Sequence, residues 1–270
     1  MELVATPQFR PAMERAVAAK AYADRLARLA RNLSNADADV SHPLLEKRDA
    51  TRRAALFVLT ANRGMCGGYN ASVLREGTAR FEELKREYDE VELFVSGKRG
   101  ISYLKYRRIE IARSFDQFDH RPTFADVAVL ANECLARYVA GELDRIDVAY
   151  SKFVSLSRQT PTAETLLPFA SASADDAEDD AAESAIEYEF LPSPQSILEE
   201  VAPSAFKMKL FKCFLDAAVS EQIARMMAMK AATDNADQMI SSLTTTYNRA
   251  RQSQITNEII EVVSGASALQ

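Results

Sequence analysis

The chain has 270 residues, of which 47% are hydrophobic, so it can bury a sizeable core and is not disordered throughout. Its formal net charge of −6 is unevenly spread: Asp175, Asp176, Glu178, Asp179, Asp180, Glu183, Glu187 and Glu189 crowd into 171–190, which has no Lys or Arg, and 31 acids face 33 bases elsewhere. A near-neutral body with no concentrated basic face argues against nucleic-acid binding, and 8 Gly and 9 Pro in such a length point to long uninterrupted elements.

The first nine residues, MELVATPQF, lack a basic stretch followed by an apolar run, so no secretory signal is read there. From about Pro11 to Leu33, Met13, Val17, Tyr22, Leu26, Leu29 and Leu33 recur at helical spacing among Arg15, Lys20, Arg25, Arg28 and Arg31. This predicts an amphipathic helix ending near Ser34-Asn35, within an N-terminal segment 1–35.

A second region, 50–192, alternates strand and helix signals. Ala54–Thr60 is a continuous apolar run of the kind buried on both faces of a parallel sheet. A helix over 71–88, a strand over 91–95, a short helix over 97–107, a strand over 109–114, a helix over 124–139 and a strand over 145–154 follow. This order predicts a Rossmann-like, doubly wound α/β domain. Thr162–Phe169 and Ile186–Leu191 read as antiparallel edge strands. They flank an Ala/Ser/Asp/Glu-rich insertion, 171–185, predicted to be disordered.

The third region, 194–270, has neither Pro nor Gly between Pro203 and Gly265, which predicts a helix of about 60 residues and about 90 Å. Val219, Met226, Met229, Thr233, Ala236, Ile240, Leu243, Tyr247 and Ala250 fall on spacings of three and four with one gap of seven, forming a seam for a partner helix. A homodimeric coiled coil is one reading. The seam's small and flexible residues favour the other, an antiparallel pairing with the chain's own N-terminal helix. The expected architecture is therefore an α/β domain inserted between two paired helices, the longer of which projects.

Little catalytic chemistry is legible. Cys66, Cys134 and Cys213 are odd in number and far apart, and only His42 and His120 could join them, so neither a disulfide framework nor a metal site is expected. The loop Arg63-Gly64-Met65-Cys66-Gly67-Gly68 could offer amides to a phosphate, but it is neither GxGxxG nor GxxxxGK[ST], and tight turning is the favoured use. No apolar run reaches 18 residues, so membrane association would go through partners.

Several stretches resemble the gamma-subunit family of F-type ATP synthases. They are Ala224–Ala236 (ARMMAMKAATDNA), Tyr247–Ala266 (YNRARQSQITNEIIEVVSGA), Thr60–Asn70 (TANRGMCGGYN), Met1–Thr6 and His42–Leu45. The resemblance covers nearly the whole chain. It implies a rotor shaft without catalytic residues, cofactor or metal, coupling ion flow through a membrane sector to ATP synthesis or hydrolysis on the beta subunits. The implied partners are the alpha and beta subunits, the epsilon subunit and the membrane c-ring, on the cytoplasmic side of a bacterial plasma membrane. By resemblance Arg251, Gln252 and Thr256 contact the beta subunit, Arg225 and Lys230 face its acidic residues, and Ile259, Ile260, Val262 and Val263 form a rotor tip in an apolar sleeve. The family's N-terminal helix would begin about 20 residues before Met1, and Pro7 and Pro11 fall where it is continuous. Two alternatives follow: a non-coupling paralogue or assembly factor, and a Rossmann-like enzyme with a helical dimerisation arm.

Overall fold

A computed structural model describes residues 11, 13–19, 21–23, 25–26, 29, 43–45, 52–118, 121–169 and 194–268. The expected acidic insertion at 171–185 and the strand at 186–191 lie outside the described residues.

Five strands form one mixed sheet in the order β3-β2-β1-β4-β5. Strands β1 (Arg53–Leu59), β2 (Glu90–Ser96), β3 (Arg113–Phe115) and β4 (Arg145–Phe153) run parallel, and β5 (Gln159–Leu167) returns antiparallel on β4. The apolar run of β1 serves both faces. Ala54, Leu56 and Val58 enter one core with Val73, Phe81, Leu93 and Leu104, while Ala55, Phe57 and Leu59 enter the other with Val127, Tyr138, Phe206 and Phe214. The first core lies under α1 (Tyr69–Glu87) and α2 (Lys98–Tyr106). The second lies under α3 (Phe124–Val139) and the base of α4 (Pro194–Ala268). Helices on both faces of the sheet make the α/β domain doubly wound, as expected.

Local chemistry explains the boundaries. Thr123 caps α3, its hydroxyl accepting from the Asp126 amide at 3.3 Å. The buried Asp147 of β4 holds α1 to the sheet by accepting from Arg80 Nε at 2.7 Å, and it also binds Arg145 Nε of its own strand at 2.9 Å. The expected strand over 109–114 is displaced to Arg113–Phe115. Arg108 takes φ 57°, and the Ile109 amide reaches back to the Leu104 carbonyl at 3.0 Å. Closing the helix in this way uses up the residues that read as strand.

Helix α4 is longer than expected, with 75 residues or about 110 Å, and it passes through both Pro203 and Gly265. An interior Pro costs about 3 kcal/mol. Leu198, Ala202, Phe206 and Leu210, all fully buried at four-residue intervals, pack on both sides of Pro203 and offset that cost.

The N-terminal stripe needs correction. Val17, Tyr22 and Leu29, expected to face the partner helix, are exposed; the buried positions are Ala16, Ala19 and Ala23. Ala16 and Ala19 pack on Leu215, Val219 and Ile223 of α4, where small side chains admit a close approach and α4 supplies the bulk.

Candidate functional site

Helix α4 divides into a seated base and a projecting stem. Residues 212–223 are buried without a break, 224–229 are half-buried apart from the exposed Met227, and every residue from Lys230 to Ser267 is exposed.

In doubly wound sheets a ligand crevice opens beyond the carboxyl ends of the strands, where the strand order reverses. Here that point lies between β1 and β4, and α4 fills it. The Tyr69 hydroxyl donates to the Ala217 carbonyl at 3.1 Å, Ser220 Oγ donates to the Ser151 carbonyl at 3.0 Å, and the methyl of Ala228 stands over Gly67. The Gly-rich loop is committed to turning. Met65 and Gly67 take φ 62° and 55°, Asn70 accepts from the Ala61 amide at 2.9 Å, and Asn62 ties the loop to the Lys98 amide at 3.1 Å and the Asp116 carbonyl at 3.1 Å. Cys66 is buried within it and accepts from Asn70 Nδ2 at 3.1 Å. Burial raises its thiol pKa, as it raises those of Cys134 and Cys213 to about 12, so all three stay protonated packing groups.

The base of α4 also carries charge. Lys209, Cys213, Asp216 and Ser220 recur at spacings of four, three and four, which places them on one stripe. Lys209 Nζ donates to the Thr165 carbonyl of β5 at 2.9 Å, and Lys212 pairs with Asp216 at 3.4 Å. Glu164 of β5 accepts from the Tyr150 hydroxyl at 3.0 Å and pairs with Lys152 at 3.1 Å. Burial pushes the Glu164 carboxyl upward, but Lys212 and Lys152 outweigh it and hold the pKa below the usual value. At Asp216 burial prevails over Lys212, and the pKa rises to about 6.

The stem holds most of the residues singled out by resemblance. Lys230, Arg251, Gln252, Thr256, Ile259, Ile260, Val262 and Val263 are all exposed. Gln252, Thr256, Ile259 and Val263 share one stripe, and the Thr256 hydroxyl donates to the Gln252 carbonyl at 2.8 Å. Arg225 lies in the seat rather than on the stem. It is half-buried in the seat, donating to Glu221 at 2.7 Å and lying 3.5 Å from the Gly64 carbonyl. Of the expected seam, Val219 is buried and Met226 and Met229 are half-buried, whereas Thr233 to Ala250 lie uncovered among the described residues. The polar stripe at 209–220 is not among the expected site residues, although its spacing of four, three and four is a readable signal.

Among the described residues no group of three His, Cys, Asp or Glu is placed to hold a metal, and no helix is long and apolar enough to cross a membrane.

The family described as ATP synthase matches residues 1–269. The ATP synthase gamma chain of Rhodopirellula baltica is 51% identical over 272 residues, covering 100% of this chain and 92% of that protein. The gamma chain of Leptospira biflexa is 37% identical over 269 residues, with coverage of 100% and 92%. Among solved structures, the central stalk and c-ring of the Tetrahymena thermophila mitochondrial ATP synthase gives a TM-score of 0.61 at 18% identity, covering 86% of this chain and 97% of that one. The mitochondrial ATP synthase of Euglena gracilis gives 0.54 at 16% identity, covering 99% and 94%. At such identities the structural likeness bears on the fold alone.

Proposed function

The chain belongs to the ATP synthase gamma-chain family, and from that premise we propose how its geometry works as the central rotor shaft of an F-type ATP synthase. The carrying observation is the stem, a continuous helix about 55–60 Å long whose residues 230–267 are all exposed. A surface bearing Met239, Ile240, Leu243, Tyr247, Ile255 and Ile259 in the open suits a helix covered by other subunits.

The family's function assigns rotation between a membrane ring and a ring of catalytic subunits. In the reading proposed here, the stem enters the alpha/beta hexamer, whose beta subunits hold the catalytic sites. The α/β domain meets the c-ring and the epsilon subunit, so the chain is a peripheral protein on the cytoplasmic side of the membrane. Ile259, Ile260, Val262 and Val263 turn in an apolar sleeve without fixed ion pairs to break. Arg251, Gln252, Thr256 and Lys230 face the beta subunits, where the Arg251 fork matches a carboxylate. Arg225 shares its guanidinium with Glu221, which leaves less of it for a beta-subunit acid.

An antiparallel coiled coil of the N-terminal helix with α4 is supported by two levels of contact. Ala16 and Ala19 meet residues 215–223, while Tyr22 and Leu26 line a groove with Ser204, Lys207 and Met208. Rising numbers on one helix meet falling numbers on the other.

Reconstitution tests the reading. The chain mixed with the alpha and beta subunits of its own complex yields a stable assembly with Mg-ATPase activity above that of alpha and beta alone. Failure to assemble would sink it.

A further inference from the structure

We infer that the polar stripe Lys209–Cys213–Asp216–Ser220 is a rotational key, holding α4 in one angular and axial register against the β4–β5 hairpin so that torque passes between the stem and the sheet without slip. The inference rests on the shaft reading above.

Beyond residue 229 every described residue of the stem to Ser267 is exposed. Any torque on it is therefore resisted at its base. Most of that base is greasy: Phe206, Leu210, Phe214 and Ala217 face the core of the sheet, and Leu215, Val219 and Ile223 face the N-terminal helix. Apolar packing is non-directional, and packed helices have discrete alternative registers, including one-turn shifts. Hydrogen bonds have direction, so they resist both rotation and sliding.

The polar contacts are placed for that task. Lys209 and Ser220 stand three turns apart, about 16 Å, on the same face of α4. They donate to two backbone carbonyls of the hairpin, Thr165 on β5 and Ser151 on β4. Thr165 pairs with Asp147, four residues before Ser151, so the two acceptors are about 13 Å apart along the sheet. The spans agree to within about 3 Å, a difference the long Lys209 side chain takes up, and α4 lies along β4 pinned at both ends. Between the pins, Lys212–Asp216 of the helix stands beside Glu164–Lys152 of the strands, and each of these charges enters the balance that sets the Glu164 and Asp216 carboxyls.

Stability does not account for the charges in this seat, Asp216 and its partner Lys212, both buried. Buried charges cost desolvation, and well-packed apolar replacements of similar volume are often neutral or stabilising. Polar groups retained in such a place are best attested as devices that fix register.

The test uses the whole complex in membrane vesicles, with Lys209→Met and Ser220→Ala combined; the Lys212–Asp216 and Lys152–Glu164 pairs stay intact. ATP hydrolysis, ATP-driven ion uptake and the melting temperature of the isolated chain are read together. The chain still folds, its melting point falling by no more than ~8 °C for the two lost hydrogen bonds, and hydrolysis stays within about twofold, while ions moved per ATP fall to less than about half as the stem slips in its seat. Lys209→Arg alone, which keeps a donor, preserves the ratio. An unchanged ratio in the assembled double variant overturns the inference, and so does a double variant that fails to fold, because the stripe would then be serving stability. Failure of the unaltered chain to assemble with alpha and beta subunits is a different result and counts against the shaft reading itself.

Discussion

The hydroxyl of Tyr69, the first residue of α1, donates to the backbone carbonyl of Ala217 at 3.1 Å, joining two points 148 residues apart in the chain. Burial raises the phenol pKa well above its usual value, with Glu221 adding to the effect, so the group stays a neutral donor at any physiological pH. It ties the start of the α1 layer to a helix on the opposite face of the sheet. Tyr69→Phe removes this bond and leaves the ring in place. A loss of about 1–2 kcal/mol is expected, because the carbonyl keeps its helical partner. Chemical denaturation of the isolated chain measures it; an unchanged midpoint would show that the bond contributes nothing net.

Gly97 makes the turn from β2 into α2 at φ 98°, and a Cβ there would lie 2.1 Å from the Thr60 carbonyl oxygen. Backbone cannot move aside, since the Thr60 amide and hydroxyl both bind the Ser96 carbonyl, at 2.8 and 2.7 Å. Gly97→Ala therefore costs at least about 3 kcal/mol and drives the chain into aggregates on expression. Gly68→Ala, in the neighbouring loop, meets nothing closer than the Ser72 hydroxyl at 3.9 Å and has φ −83°, so it expresses normally. Equal soluble yields of the two variants would refute the contrast.

Asp216 gives a pH signature with a definite sign. Its folded pKa, about 6, lies above the ordinary aspartate value of 3.8, so between those values the folded state holds more proton than the unfolded one. Stability due to this group is thus present at low pH and lost as pH rises from about 4 to about 6. Asp216→Asn lacks that slope. The stability of the variant relative to the parent should rise by about 1–3 kcal/mol between pH 4 and pH 7, whatever the amide itself costs. Glu164 has the opposite sign: its depressed pKa contributes stability above the unfolded value that disappears as pH falls. Paired unfolding curves of parent and Asp216→Asn separate the two, and parallel pH profiles would show that Asp216 is not perturbed.

How much of this was legible in the sequence follows from what each side chain does. Strands β1 and β4 are readable because both of their faces are buried, which leaves continuous runs such as Ala54–Leu59. Strand β3 is not, because Ile109 and Ile111 have the composition of a strand but pack into the α1–α2 core as the exit from a helix. The N-terminal contact face departs from its hydrophobic pattern for a related reason. Hydrophobic size marked Val17 and Tyr22, whereas close helix approach selects Ala16 and Ala19. At the seat of α4 the rule that polar residues lie outside fails for Lys212, Asp216 and Ser220, all buried. Arg225, expected to face acids of a partner, also pairs with Glu221 one turn away on its own helix, a contact that the i, i+4 spacing made readable.

The stem gives the sharpest separation between fold and function. Ile259, Val262 and Val263 are 58%, 72% and 58% exposed, so the isolated chain gains almost nothing from their side chains. Val262→Ser and Ile259→Ser should shift its stability by less than about 0.5 kcal/mol. On the proposed shaft reading, the same changes in the assembled complex remove apolar surface from a covered interface. At about 25 cal/mol per Å², losing a Val or Ile side chain there weakens association by about 1–2 kcal/mol per site, or roughly five- to thirtyfold. Two measurements are compared: thermal unfolding of the isolated chain, and titration of the chain into alpha and beta subunits. Lost affinity with unchanged unfolding places these residues in a partner interface. Lost stability in the isolated chain would instead mean that the tip folds back on its own domain and does not project.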